Sequence, residues 1–145
     1  MSKTIFLTGA NGFIGSAFLK LSLENGYRVK ALTRKAIQQH SQQGLEFIKA
    51  DLLSYNNWDE LLHDVDVIVH TAAEITDVSS MHKLNYEASL QLLFSAINSG
   101  VKRWIQLSSV GAFGPIQKGL VDETWDDSPQ GTYEKTKSDF DLKLK

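Results

Sequence analysis

Short apolar runs alternate with stretches of helical period along the whole chain. The runs Thr4–Leu7, Arg28–Thr33, Leu45–Ala50, Asp66–His70 and Arg103–Leu107 have strand length. TIFLT and DVIVH are nearly continuous hydrophobics, the pattern of strands buried on both faces of a parallel sheet. Between the first two runs, FIGSAFLKLSLENG places Phe13, Ile14, Ala17, Phe18 and Leu21 at helical spacing and stops at Gly26. Glycine is a usual helix stop because it enters the left-handed conformation freely. NYEASLQLLFSAINSG repeats the device and ends at Gly100. This βαβαβ rhythm predicts an α/β fold with a parallel sheet. From Gly111 to Thr132 no period is visible, and both prolines, Pro115 and Pro129, fall there. A long loop after the last strand is expected, a place where such folds carry function.

Composition narrows the partners. A chain of 145 residues has the size of one domain. A formal charge of −2 supplies no basic field for nucleic acid, and no such partner is expected. With no cysteine there is neither a disulfide framework nor a thiolate metal site, which fits a reducing compartment and makes the cytoplasm the expected location. MSKTIFLTG runs directly into the first strand with no long apolar stretch, so neither a signal peptide nor a membrane span is expected. His40, His63, His70 and His82 show no ligand spacing, so no metal is expected. Trp58, Trp104 and Trp125 read as packing residues.

The first strand leads into TGANGFIG, with Gly9, Gly12 and Gly15 at three-residue steps and a helix behind them. Free backbone N–H groups and the positive end of a helix dipole converge at such a junction, where side chains would keep a phosphate out. Gly9 would permit the tight turn, Gly12 the approach of a pyrophosphate, and Gly15 the packing of helix on strand. The loop as a whole, Gly9, Asn11, Gly12, Phe13, Ile14 and Gly15, is the candidate dinucleotide cradle. A dinucleotide fold separates NAD from NADP at the end of its second strand, where an acid binds the ribose 2′-OH or a cation pairs with a 2′-phosphate. Here Thr33 replaces the acid and Arg34 and Lys35 follow, which favours NADP, with NAD as the alternative. The competing reading makes Arg34 and Lys35 a solvated start to the next helix.

TGANGFIG resembles the short-chain dehydrogenase/reductase superfamily, its extended branch especially. The likeness continues in order through ADL at Ala50–Leu52, HTAAE at His70–Glu74, LN at Leu84–Asn85, GVKRWIQLSSVGAFG at Gly100–Gly114 and YEKTK at Tyr133–Lys137. It covers essentially the whole chain and resembles the NAD(P)-dependent epimerase/dehydratase family, which includes nucleotide-sugar epimerases, dehydratases and dihydroflavonol-type reductases. The resemblance implies a Rossmann-like doubly wound sheet in the order 3-2-1-4-5 with flanking helices. It implies that Arg34 clamps a 2′-phosphate, that Asp51 and Leu52 contact the adenine side, and that Thr71, Ala72 and Ala73 lie against the cofactor. Asp51 is also a good turn or cap residue, and the three small residues suit any tight turn.

Hydride chemistry at an alcohol or ketone carbon needs a group that gives or takes the hydroxyl proton. Tyrosine can do so if a nearby cation brings its pKa down toward neutrality, and Lys137, four residues after Tyr133, is placed to share its helix face. By the resemblance, Lys137 also holds the cofactor ribose. Ser109 would polarise the substrate oxygen, preferred to Ser108 because the family's serine lies four residues before the aromatic of its YG pair. That pair here is Phe113–Gly114, which lacks the tyrosine hydroxyl. Asn85 matches a family position that shapes the site, although asparagine near a helix start is often only a cap.

The expected function is an NADP-linked oxidoreductase, epimerase or dehydratase acting on a nucleotide sugar or similar small molecule. A cofactor-binding sensor without turnover is the alternative. Family members continue well beyond YEKTK, so the chain reads as the N-terminal part of a longer enzyme, its C-terminal substrate-binding region absent, with a naturally short relative as the other version. The resemblance further implies a homo-oligomer, a dimer first, formed through the helices holding Asn85–Gly100 and Tyr133–Lys145. The strand RWIQLS would present an unpaired sheet edge.

Overall fold

The structure, a computed structural model, describes residues 2–35, 42–115, 119–122 and 124–145. They group into two compact units: Met1–Ala72 with Gln91–Leu107, and Ala73–Leu90 with Ser108–Lys145.

The first unit is built on five parallel strands, β1 (Thr4–Thr8), β2 (Arg28–Thr33), β3 (Leu45–Lys49), β4 (Val67–His70) and β5 (Arg103–Gln106). Their order is β3-β2-β1-β4-β5. Every residue of β1 is buried, because it pairs on both sides: Leu7 is in register with Ala31 of β2 and with Val69 of β4. Side chains alternate between the faces of a strand. Ile5 and Leu7 therefore join Ala10, Val29, Ala31 and Val69 in one core, packed by Phe18, Leu19 and Leu23 of α1 (Phe13–Glu24). Phe6 points the other way and meets Trp58 edge-on, with ring centroids 6.1 Å apart. Trp58 opens α2 (Trp58–Leu62). Burying a side chain of this size contributes ~1.5–3 kcal/mol, so these faces hold the sheet and its flanking helices together.

The strands match the expected runs to within a residue at each end: Thr8 joins β1, while Ala50, Asp66 and Leu107 fall outside. Asp66 instead accepts the Thr4 N–H through Oδ2 at 2.9 Å. The inward face of α1 differs from the sequence expectation. Phe13, Ile14 and Leu21 are exposed, whereas Gly15 and Ser22 are buried. The cause lies in backbone packing: a Cβ on Gly15 would sit 2.1 Å from the Gly9 carbonyl oxygen, so the helix seats its glycine inward and turns the apolar stripe beside it outward.

In the second unit, α3 (Val78–His82) is capped by Asp77, whose carboxylate accepts the Ser79 N–H at 3.0 Å. It runs into a π turn at Lys83–Ala88 and then α4 (Ser89–Asn98), which from Gln91 onward belongs to the first unit. The helical stretch read from Asn85 thus begins earlier, at Val78, where the Asp77 cap sets its start. The region read as loop contains a 3₁₀ turn, Val110–Phe113, before α5 (Thr132–Asp141). Trp125 is 40% exposed in that loop, a surface residue rather than the packing residue expected. Among the described residues no helix is long and apolar enough to cross a membrane.

Candidate functional site

The glycine loop is constrained by backbone contacts. Gly9 has φ +72°, and a Cβ there would lie 2.6 Å from Thr71 Oγ1. The Thr71 hydroxyl donates to the Thr8 carbonyl at 2.7 Å, which holds the residue against the loop. Thr8 in turn binds the His70 Nδ1 at 2.8 Å and accepts the Ala72 N–H at 3.2 Å. Gly12 is the N-cap of α1 and its N–H donates to the Gly9 carbonyl at 2.9 Å. The N–H groups of Phe13, Ile14 and Gly15 follow in the first helical turn, where no intrahelical acceptor exists. With no side chain at Gly12 to cover them, these donors fit a phosphate at the positive end of the helix dipole.

The end of β2 is tied to the same loop. Thr33 Oγ1 accepts from Asn11 Nδ2 at 2.5 Å and from the Lys35 N–H at 3.1 Å, while Arg34 and Lys35 are exposed. A hydroxyl stands where an acid would repel a phosphate, with two cations beside it. Asp51 serves as a turn: its carboxylate accepts the Leu53 N–H at 3.0 Å and its carbonyl the Tyr55 N–H at 2.8 Å. The Leu52 side chain is buried in the core. The structure thus brings Gly9, Asn11, Gly12, Phe13, Ile14, Gly15, Arg34, Asp51, Leu52, Thr71 and Ala72 into the first unit, whereas Ala73, Ser109, Tyr133 and Lys137 belong to the second.

In the second unit, Ser109 caps the 3₁₀ turn, its Oγ accepting the Gly111 N–H at 3.2 Å, which leaves the hydroxyl proton to donate elsewhere. Ser108 Oγ donates to Asp141 Oδ2 on α5. Tyr133 and Lys137 follow one another along α5 at the spacing of a single helix face. Lys137 is 2% exposed. Burial pushes the Lys137 pKa down from its ordinary value, opposed by the Asp141 carboxylate. The Tyr133 phenol moves opposite to the sequence expectation: burial first, then the Glu134 carboxylate, push its pKa up. Desolvation disfavours the phenolate, so in this structure Tyr133 holds its proton firmly. Glu134 itself lies over Gly111 and Gly131; a Cβ on Gly131 would meet its Oε2 at 2.1 Å.

Asn85 is not a cap. It sits within the π turn, 2% exposed, and its amide grips the backbone of Glu74 and the hydroxyl of Thr136. The Thr136 hydroxyl donates to the Tyr133 carbonyl at 2.7 Å, so this chain of bonds ends on the helix that carries Tyr133. Glu74, Thr136 and Asp141 were given no role by sequence reasoning, and Ser108, set aside there in favour of Ser109, is the serine that holds Asp141. Only Asp141 left a signal, standing four residues beyond Lys137.

A family model described as the NAD dependent epimerase/dehydratase family matches residues 5–142. The chain is 32% identical over 155 aligned residues to the UDP-glucose 4-epimerase of Vibrio cholerae, covering 99% of this chain and 47% of that protein. It is 31% identical over 144 residues to the sterol demethylase protein B of Methylococcus capsulatus, covering 93% and 44%. Among solved structures it is similar to the Bordetella bronchiseptica enzyme WbmH in complex with NAD⁺, with a TM-score of 0.85 at 25% identity over 99% of this chain and 52% of that one. The chain spans about half the length of the curated relatives it matches.

Proposed function

The chain belongs to the NAD dependent epimerase/dehydratase family, and from that premise we propose that it binds a nicotinamide dinucleotide on its glycine loop and serves proton transfer at an alcohol or ketone carbon through Ser109, Tyr133 and Lys137. The observation that carries this reading is the placement of Tyr133 and Lys137 one turn apart on α5, the lysine side chain 2% exposed and the tyrosine half-buried. A lysine beside a tyrosine on one helix face can donate to a ligand hydroxyl and favour negative charge on the phenol oxygen. The dinucleotide supplies or takes the hydride. Tyr133, protonated, gives the proton to the oxygen that develops charge, and the Ser109 hydroxyl donates to the same oxygen. The oxygen's proton returns to Tyr133 in the reverse direction.

The cofactor reading favours NADP on the strength of Thr33, Arg34 and Lys35; the bound NAD⁺ of the Bordetella structure weighs on the other side. A nucleotide sugar or similar small molecule is the proposed substrate, supported by the Vibrio relative. Reduction, epimerisation and dehydration all share the hydride and proton step, and the sterol relative keeps the substrate class open. A dimer is proposed through α4, which exposes Phe94 and Ile97, 56% and 62% accessible.

Calorimetric titration with NADPH and with NADH tests the first half. Binding of neither overturns the reading. Tighter NADPH binding that Arg34→Ala weakens by about 10- to 100-fold, with NADH unaffected, supports the phosphate role.

A further inference from the structure

We infer that Asp141 is a positioning residue of the Ser109, Tyr133 and Lys137 cluster: held by Ser108, its carboxylate is the counter-charge that keeps the buried Lys137 ammonium protonated and in register with Tyr133. This rests on the reading of Tyr133 and Lys137 as a working pair.

α5 places Tyr133, Lys137 and Asp141 at successive four-residue steps, so the three share one face. Such a partner matters because the Lys137 side chain is 2% exposed and burial disfavours its charged form. Lysine yields its proton readily under these conditions. The influence opposing burial at Lys137 is the charge of Asp141. A neutral amine could not stabilise negative charge on the Tyr133 oxygen, so the counter-charge decides whether Lys137 is of use.

Asp141 is fixed for that task from outside its helix. Burial pushes the Asp141 carboxyl pKa up, and Ser108, just beyond β5, opposes that by donating its hydroxyl to Oδ2, which favours the ionised carboxylate and stops the side chain from turning away. The other charges acting on Asp141 are Asp127, which opposes its ionisation, and Lys137 and Lys145, which favour it. Asp127 is itself engaged by the Ser138 hydroxyl at 2.9 Å. The neighbouring serines thereby divide: Ser109 keeps a proton to donate outward, while Ser108 is committed to Asp141.

The test is the titration of Lys137 followed by ¹³Cε–¹H NMR of lysine-labelled chain, its signal assigned by its loss in Lys137→Arg. In Asp141→Asn the midpoint should fall by about one pH unit or more, in Ser108→Ala it should fall less, and Asp141→Glu should restore it. An unmoved midpoint in folded Asp141→Asn overturns the inference. Should that variant not fold, an unmoved midpoint in Ser108→Ala does the same. No turnover is measured, so this result is independent of the catalytic reading, which fails separately if Tyr133→Phe keeps its activity.

Discussion

Asn85 holds Glu74 by both backbone groups: its Oδ1 accepts the Glu74 N–H at 2.7 Å and its Nδ2 donates to the Glu74 carbonyl at 2.9 Å. A side-chain amide thereby replaces the partner that a neighbouring strand would offer. The second Nδ2 hydrogen goes to Thr136 Oγ1 at 3.1 Å. Asn85→Ala orphans two backbone groups and should destabilise the chain by about 3 kcal/mol. Asn85→Asp should also destabilise it, because a carboxylate cannot donate to the Glu74 carbonyl. The midpoint of urea denaturation reads both.

Glu74 also binds its own loop. Its Oε1 accepts the N–H groups of Ile75, Thr76 and Asp77 and the Thr76 hydroxyl at 2.7 Å. The Thr76 hydroxyl, then the Thr76 and Asp77 N–H groups, hold the carboxyl pKa down from 4.5 to about 2. A depressed carboxyl contributes stability above its unfolded pKa and loses it as pH falls through the folded one. Glu74→Gln should therefore cost up to about 1 kcal/mol at neutral pH, screened by solvent. The gap to the wild type should close between pH 4.5 and about 2. A gap that stayed constant over that range would show that the charge is not what stabilises the loop.

Gly15 and Gly26 separate packing from conformation. A Cβ on Gly15 would lie 2.1 Å from the Gly9 oxygen, whereas Gly26, at φ +77°, has nothing within 4 Å. Gly26→Ala should cost about 1 kcal/mol through backbone strain alone and leave dinucleotide binding intact. Gly15→Ala must push α1 away from the loop, costing about 1–3 kcal/mol and displacing the N–H donors of the cradle. Calorimetry on the two variants should find binding lost only in Gly15→Ala.

Much of this was readable in the residues. Five strand runs stood out because strands buried on both faces cannot hide their apolar character, and the order 3-2-1-4-5 came with the family resemblance. The inward face of α1 did not, since Gly15 and Ser22 carry no apolar signal while exposed Phe13, Ile14 and Leu21 do. Asn85 finds its partners 11 and 51 residues away, a distance at which spacing says nothing. The direction of the Tyr133 shift depended on burial and on Glu134, whose charge lies next to it in sequence but whose effect needed the fold.

That direction has consequences at alkaline pH. A phenol whose folded pKa is raised above the ordinary 10.0 contributes stability below its unfolded pKa and loses it as pH rises through the folded value. Tyr133→Phe removes that loss, so the variant should hold its stability better than the wild type above pH 10.0. At neutral pH both groups are uncharged and the two proteins should unfold alike. Glu134→Gln withdraws the second of the two influences and should bring the Tyr133 titration down, which the tyrosinate absorbance reports. Turnover behaves differently: Tyr133→Phe has no proton to give and should lower it by about 10²- to 10⁴-fold, while NADPH binding is retained. Oxidation of NADPH with a panel of UDP-sugars and small ketones measures it, and activity surviving in Tyr133→Phe would remove the phenol from the proton-transfer step.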